Sequence, residues 1–287
     1  MSKNIFINIA VAMIVALIVS FALRPHTQIE TTKKTETVYE RVTRTKTLRC
    51  GYITWPPFSA KNAETGKMEG FFIDLTEELA KGYDWKVEWV EEIGLPDFVA
   101  ALNNDRIDMF CAPLAPVQQR AQWAYFSRPH FFAPINAYAR QDDARFDNNP
   151  QAINQTNIKL STMEGELTSI LARTLYPKAQ VIEITAQQGN TQLFENVVAG
   201  KADVILQDPF SFDFYNRSNP NKLKATGVTA GVFSAAFAMK FGEDGFKAVI
   251  DAGLSELLNR DYLKKIWSDY DFGKYGIYLP ADPFKQP

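Results

Sequence analysis

Cysteine and histidine are scarce in this chain. Its 287 residues hold two of each, Cys50, Cys111, His26 and His130, and no Cys-x-x-Cys pair. That shortage argues against a zinc centre of the usual cysteine–histidine kind, and no metal or cofactor is expected. No pairing of nucleophile and base is evident, so no catalytic residue is assigned. The net charge is only −2, which leaves no global basic field to recruit nucleic acid. What is present is apolar: 46% hydrophobic residues, enough for a sizeable core in one large domain or two lobes.

After a short segment 1–4, the run "IFINIAVAMIVALIVSFAL", Ile5–Leu23, is uncharged and has Asn8 as its one strongly polar residue. Its length is near that of a helix crossing a bilayer, and we read 5–23 as an uncleaved anchor. Ser20 and Ala22 leave a cleavable signal peptide open as the alternative. The "TLRC" before Cys50 lacks the small residues of a lipoprotein site. Residues 24–47 are Thr-rich and charged and read as an exposed spacer. An edge strand in "TETVYERVT" is the alternative there.

From Leu48 strands and helices alternate. "LRCGYI" reads as a buried strand and "GYITWPPFS" as a loop broken by Pro-Pro. "FIDLTEELAKGY" has helical spacing, "KVEWVEE" reads as a strand, "LPDFVAALNNDR" as a short helix and "IDMFCAP" as a strand. The second half runs strand, helix, strand, helix, strand through "NIKLSTMEG", "ELTSILARTLY", "AQVIEIT", "TQLFENVVAGK" and "ADVILQD". Such alternation predicts an α/β fold with a parallel sheet. There is an internal echo: "FVAALNNDRIDMFCAP" resembles "LFENVVAGKADVILQDP", each with an Asp, Asp108 or Asp203, opening an apolar strand. The tail "FKAVIDAGLSELLNRDYLKKIWSDY" reads as a long helical stretch broken near Asn259–Asp261.

In their order and spacing, "LRCGYITWPPFSA", "MEGFFIDLTEELAK", "FVAALNNDRIDMFCAPL", "QQRAQWAYFSRP", "VVAGKADVILQDP" and "LNRDYLKKIWSDYDFGKYG" resemble the periplasmic solute-binding proteins of ABC importers, family 3, the polar amino-acid-binding branch. The resemblance covers about Leu48 to Tyr278. It implies a two-lobe periplasmic-binding-protein-like clamshell (type II), preceded by the N-terminal transmembrane helix and spacer. Lobe 1 would be 48–132 and 236–287, lobe 2 would be 133–235, and two crossing strands would form a hinge. The partners implied are a small-molecule ligand, an amino acid or related amine, and an ABC permease in the inner membrane. The location implied is the periplasm, with the N-terminal helix in the membrane.

The same resemblance assigns the cleft. Arg120, at the position matching the family's arginine in "QQRAQ", would pair with a ligand carboxylate; a guanidinium offers paired donors and stays charged. Asp208, at the carboxyl end of "ADVILQD", would take the ligand amine, and Trp55 would place a ring over the ligand. On spacing alone Arg120 reads as a surface arginine on a short helix; the alternatives for Asp208 and Trp55 are an Asp-Pro turn former and a core aromatic beside Pro56. Phe58 and Phe72 read as packing residues, Gly70 as a turn residue, and Asp108 and Asp203 as structural. Three departures stand out. Ala115 replaces a small hydroxyl residue, Pro113 has no N–H to donate, and Gly165 is followed by Glu166 and Leu167 where relatives have Thr or Ser. Glu166 would either face solvent or add a second anion to the cleft, the latter favouring a cationic or amine-rich solute. The fold would set Cys50 and Cys111 on neighbouring strands; a disulfide and two buried thiols both remain open, with thiols preferred.

The function implied is therefore a membrane-tethered, non-enzymatic solute-binding protein that captures a small zwitterion, an amino acid, and delivers it to a permease. Two alternatives are a membrane-tethered sensor or partner-binding module, and a dehydratase-like enzyme on the same fold with Glu166 as proton donor.

Overall fold

In the computed structural model the described residues are 13–16, 19–20, 36–185 and 188–280. The chain divides into two compact units, Met1–Glu36 and Thr37–Pro287. In the first, only 13–16 and 19–20 are described, both helical. The rest of the apolar run 5–23, and residues 24–35 of the spacer, lie outside the described residues. No helix among the described residues is long and apolar enough to cross a membrane.

The end of the expected spacer is not extended, and one face of it is buried. It forms helix α1, Val38–Thr45. Thr37 and Glu40 close a reciprocal capping box: Glu40 N–H donates to Thr37 Oγ1 at 3.1 Å and Thr37 N–H to Glu40 Oε2 at 2.9 Å. Val38 and Val42, four apart, fall on one face and are buried. Arg41 ion-pairs with Asp108, and Val38 N–H donates to Glu243 Oε2. The alternation that suggested a strand in "TETVYERVT" is thus overruled by a cap and an i, i+4 apolar pair.

Lobe 1 is then built from β1 (Thr47–Tyr52), the short ribbon β2 (Ala60–Lys61) and β3 (Met68–Glu69), α2 (Phe71–Gly82), β4 (Lys86–Glu92), α3 (Phe98–Asn103) and β5 (Met109–Leu114). β1 lies between β4 and β5, parallel to both. Cys50 on β1 and Cys111 on β5 are joined as a disulfide with Cα atoms 5.6 Å apart, which corrects the preference for free thiols. Strand neighbours in a parallel sheet bring the two Cα atoms within bridging reach, a closeness that spacing along the chain does not reveal. Phe58 and Phe72 pack among buried aromatic rings, Phe58 lying 5.9 Å from Phe131 and 5.1 Å from Phe210.

Gly70, just before α2, has φ of 125°, and a Cβ there would sit 2.5 Å from the Phe58 carbonyl oxygen. Gly70→Ala is expected to destabilise the protein by about 2–4 kcal/mol, combining backbone strain with a backbone clash. Gly66→Ala provides the control: its φ is also positive, at 69°, but nothing lies within 4 Å of the added methyl. Chemical denaturation of both variants checks this, and equal losses would show that the clash contributes nothing.

The chain continues through α4 (Gln118–Ala121) and β6 (Ala124–Phe126) into the crossing strand β7 (Phe131–Arg140). Lobe 2 follows as α5 (Pro150–Ile153), β8 (Lys159–Met163), α6 (Leu167–Leu175), β9 (Gln180–Ile184), α7 (Asn190–Val198), β10 (Val204–Gln207) and α8 (Pro209–Ser218). The second crossing strand, β11 (Leu223–Lys240), returns to lobe 1, antiparallel to both β7 and β5. The large sheet runs β4-β1-β5-β11-β7-β10-β8-β9, with β6 on β11. It is therefore mixed: parallel within each lobe's α/β core, antiparallel where the two strands cross. β7 and β11 went unmarked in the local pattern and were expected only from the resemblance.

The internal echo is structural. Asp108 accepts from Arg49 N–H at 2.7 Å and pairs with its guanidinium at 2.8 Å. Asp203 accepts from Lys159 N–H at 3.0 Å and pairs with Arg145 at 2.7 Å. In each lobe one Asp thus ties the start of its strand to the neighbouring parallel strand, β5 to β1 and β10 to β8. The tail forms α9 (Asp244–Asn259) and α10 (Tyr262–Asp269), broken at Asp261, whose φ of 56° is left-handed. His130 is buried between Phe72 and Phe237, and burial pushes its imidazole down to about 3, so it stays neutral.

Candidate functional site

Trp55 is held by a tight loop: its N–H donates to Ser59 O at 2.7 Å, and Ser59 N–H returns a bond to Trp55 O at 3.1 Å. The indole packs edge-on against Phe58. Its Nε1–H donates to Ser211 Oγ on α8 at 2.9 Å, so a lobe 1 ring touches a lobe 2 helix.

Pro113 on β5 and Ala115 just beyond it form the next part of the wall. Neither offers a side-chain polar group. The backbone carbonyl of Ala115 instead accepts from Arg120 Nη1 at 2.9 Å. Arg120 sits on the single turn of α4 and is only 8% exposed. Its Nη2 donates across the cleft to Gly165 O. Two carbonyls thus orient the guanidinium, and no ion pair joins it to a carboxylate among the described residues. Burial lowers its pKa to about 10, partly offset by Glu166, so it remains a cation at neutral pH.

Glu166 precedes the first turn of α6 and is 3% exposed, which settles the choice left open between solvent and cleft. Thr168 Oγ1 donates to Glu166 Oε2 at 2.7 Å, and Gln207 Nε2 to Oε1 at 3.3 Å. Burial pushes the carboxyl up to about 7; these two donors and Arg120 pull it back, while Asp208 adds to the rise. Asp208, also 3% exposed, caps α8. Its Oδ1 accepts from Phe210 N–H at 3.0 Å and Ser211 N–H at 2.9 Å, and its Oδ2 from Ser211 Oγ at 2.8 Å. Burial raises its pKa against the pull of these donors. The Asp-Pro turn-former and the buried cleft acid are thus one residue in one geometry.

Trp55, Pro113, Ala115, Arg120, Glu166, Leu167 and Asp208 line one cavity, and Gly165 reaches it by its carbonyl contact with Arg120. Leu95, Leu114, Ile135, Thr168, Gln207 and Phe233 complete the wall. Of these, Gln207 had a visible signal, as the polar last residue of an apolar strand beside Asp208. Ile135 and Phe233, on the crossing strands, had none. The cavity is about 20 Å³, room for roughly one water. An amino acid enters only if the lobes separate. Among the described residues no group of three or more His, Cys, Asp or Glu side chains is placed to hold a metal ion.

A two-lobe α/β clamshell with one arginine and two acids buried between the lobes is a ligand-binding architecture, and sequence comparison places it. The chain belongs to the bacterial extracellular solute-binding proteins, family 3, whose pattern it matches over residues 48–274. It is 27% identical to the glutamine-binding protein of Geobacillus stearothermophilus over 154 residues, 53% of this chain and 56% of that protein. It is 26% identical to the cyclohexadienyl dehydratase of Pseudomonas aeruginosa over 203 residues, 70% of this chain and 73% of that enzyme. The chain thus matches just over half the length of the first relative and nearly three quarters of the second. The cysteine-binding protein from Campylobacter jejuni shares the fold, with a TM-score of 0.71 at 18% identity over 85% of this chain and 100% of that one. The family is extracellular, and its members similar to this chain include both binding proteins and an enzyme.

Proposed function

We propose that this chain is the non-enzymatic solute-binding component of an ABC transporter, capturing a small zwitterion, an amino acid, between its lobes and presenting it to an inner-membrane permease. One observation carries the reading: a buried guanidinium from lobe 1, Arg120, and a buried carboxylate from lobe 2, Asp208, line the same cavity. A ligand with opposite charges at its two ends bridges them and draws the lobes together. Its carboxylate takes the donors that Arg120 does not spend on Ala115 and Gly165, its ammonium takes Asp208, and Trp55 covers it. The lobes are 48–132 with 236–287, and 133–235. The run 5–23 tethers the protein to the inner membrane on the periplasmic side, or is removed as a signal.

Thermal denaturation of the full-length chain against single amino acids tests this. At a hundredfold excess over Kd, a true ligand stabilises by about 2.7 kcal/mol, an upward melting shift of roughly 5–10 °C for a domain of this size. Asp208→Asn keeps the helix cap but loses the charge, so its shift should shrink while its unliganded melting point holds. No shift with any amino acid or amine would sink the reading.

The dehydratase relative and the buried Glu166, whose carboxyl is pushed up to about 7, favour one second reading, an enzyme that uses Glu166 as proton donor. Turnover of a cleft-bound substrate, abolished in Glu166→Gln, would support it; a bound ligand recovered unchanged removes it.

A further inference from the structure

Three ionisable side chains share the cavity: one guanidinium, Arg120, and two carboxylates, Glu166 and Asp208. Each is at least nine-tenths buried, and none is ion-paired to another among the described residues. Their charges sum to one excess negative when all are ionised. Buried charges are held by partners or neutralised, and the two acids differ in how they are held. Asp208 receives three close hydrogen bonds from the first turn of α8. Glu166 receives one short bond from Thr168 and one long bond from Gln207, both from uncharged groups, which leaves an acceptor site open on each oxygen.

A zwitterion satisfies Arg120 and Asp208 and leaves Glu166 unmatched. A ligand with one carboxylate and two cationic groups neutralises the cavity completely. We propose that Glu166 is the specificity-determining residue of the cleft, partner to a second cationic group at the side-chain end of the ligand, so that the preferred solutes are amino acids bearing a side-chain amino or guanidino group. This rests on the reading that the cleft receives an amino acid, and adds which class it prefers.

The selection is linked to protons. The charged groups facing Glu166 are Arg120, from α4, and Asp208, from the β10–α8 junction; Thr168 and Gln207 are its uncharged neighbours. In the closed cleft without ligand, burial pushes the carboxyl up to about 7. A cationic ligand binds its ionised form and lowers that pKa, so affinity for such a ligand is full above pH 7 and falls about tenfold per unit below it. A neutral ligand closes the cleft on an unmatched carboxylate and binds the protonated form, so its affinity falls as pH rises above 7.

The probes are arginine and its uncharged isostere citrulline, titrated calorimetrically into the full-length protein at pH 6 and pH 8. A charge-assisted contact in a buried site predicts that arginine is favoured over citrulline by roughly 10- to 100-fold at pH 8. That ratio should shrink at pH 6. In Glu166→Gln it should collapse and lose its pH dependence, with the unliganded melting point confirming that the variant folds. Equal affinity for the two ligands in the wild type at pH 8, or a preference unchanged in Glu166→Gln, would overturn the assignment while leaving amino-acid capture intact. The wild-type pH series decides the matter even if the variant does not fold. Absence of binding by any amino acid, whatever its charge, overturns both this proposal and the reading beneath it.

Discussion

Arg120→Ala is expected to weaken amino-acid binding by about 2–5 kcal/mol, roughly 30- to 5,000-fold in Kd, the cost of truncating one partner of a buried, hydrogen-bonded charge pair. The reason is geometric. The guanidinium is already aimed from within its own lobe, because Ala115 O takes one of its N–H groups. A ligand carboxylate therefore meets a pre-oriented donor, and little side-chain entropy is lost on binding. Pro113 and Ala115 supply no neutral polar help from that wall, which concentrates the affinity in the charge. Folding should suffer little, because removing a desolvated cation without an ion-pair partner also removes its burial cost. Arg120→Lys should recover only part of the affinity, since an ammonium cannot present paired donors to a carboxylate. Calorimetric titration with a parallel melting curve separates the two effects. A Kd unchanged in Arg120→Ala would remove Arg120 from the site.

The second large effect concerns stability. Reducing Cys50–Cys111, or replacing both by alanine, is expected to cost about 4 kcal/mol, because the bridge closes a loop across a sequence separation of 61 residues and restrains the unfolded chain accordingly. In a domain of this size that lowers the melting temperature by roughly 10 °C. Both cysteines are fully buried, so reductant reaches them when β1 and β5 part rather than in the native state. Melting curves with and without reductant, after incubation above the transition, report the difference. Coincident curves would show that the bridge contributes nothing to stability.

Much of the site was legible in the residues because its chemistry is concentrated in a few charged groups at element ends. Arg120 and Asp208 stand at the ends of apolar runs, and the family resemblance assigned them roles. The structure brings both to one cavity. Glu166 was legible as a departure but not as a buried group, since one residue ahead of a helix is as compatible with solvent as with a cleft. Its burial depends on lobe 1 lying opposite. Gln207 was passed over because its weight lies in its contacts, holding both Glu166 and the Asp208 N–H. The spacer was misread from Val38 on because its polar composition matches a linker. Its two valines acquire meaning only beside the Asp108 and Glu243 to which α1 is tied.

By itself the sequence determined the succession of strands and helices, the break at Asp261, the paired aspartates that open an inner strand in each lobe, and the charged residues available to a ligand. These are local properties: periodicity, capping and turn chemistry act over a few residues and survive any arrangement of the elements. Only the tertiary structure decided that Cys50 meets Cys111, that α1 is part of the domain, that β7 and β11 cross antiparallel, and that Glu166 faces Arg120 and Asp208 in a closed cavity. Those facts depend on strand order and on two lobes meeting across a hinge, where residues far apart in the chain become neighbours and burial changes what their charges do.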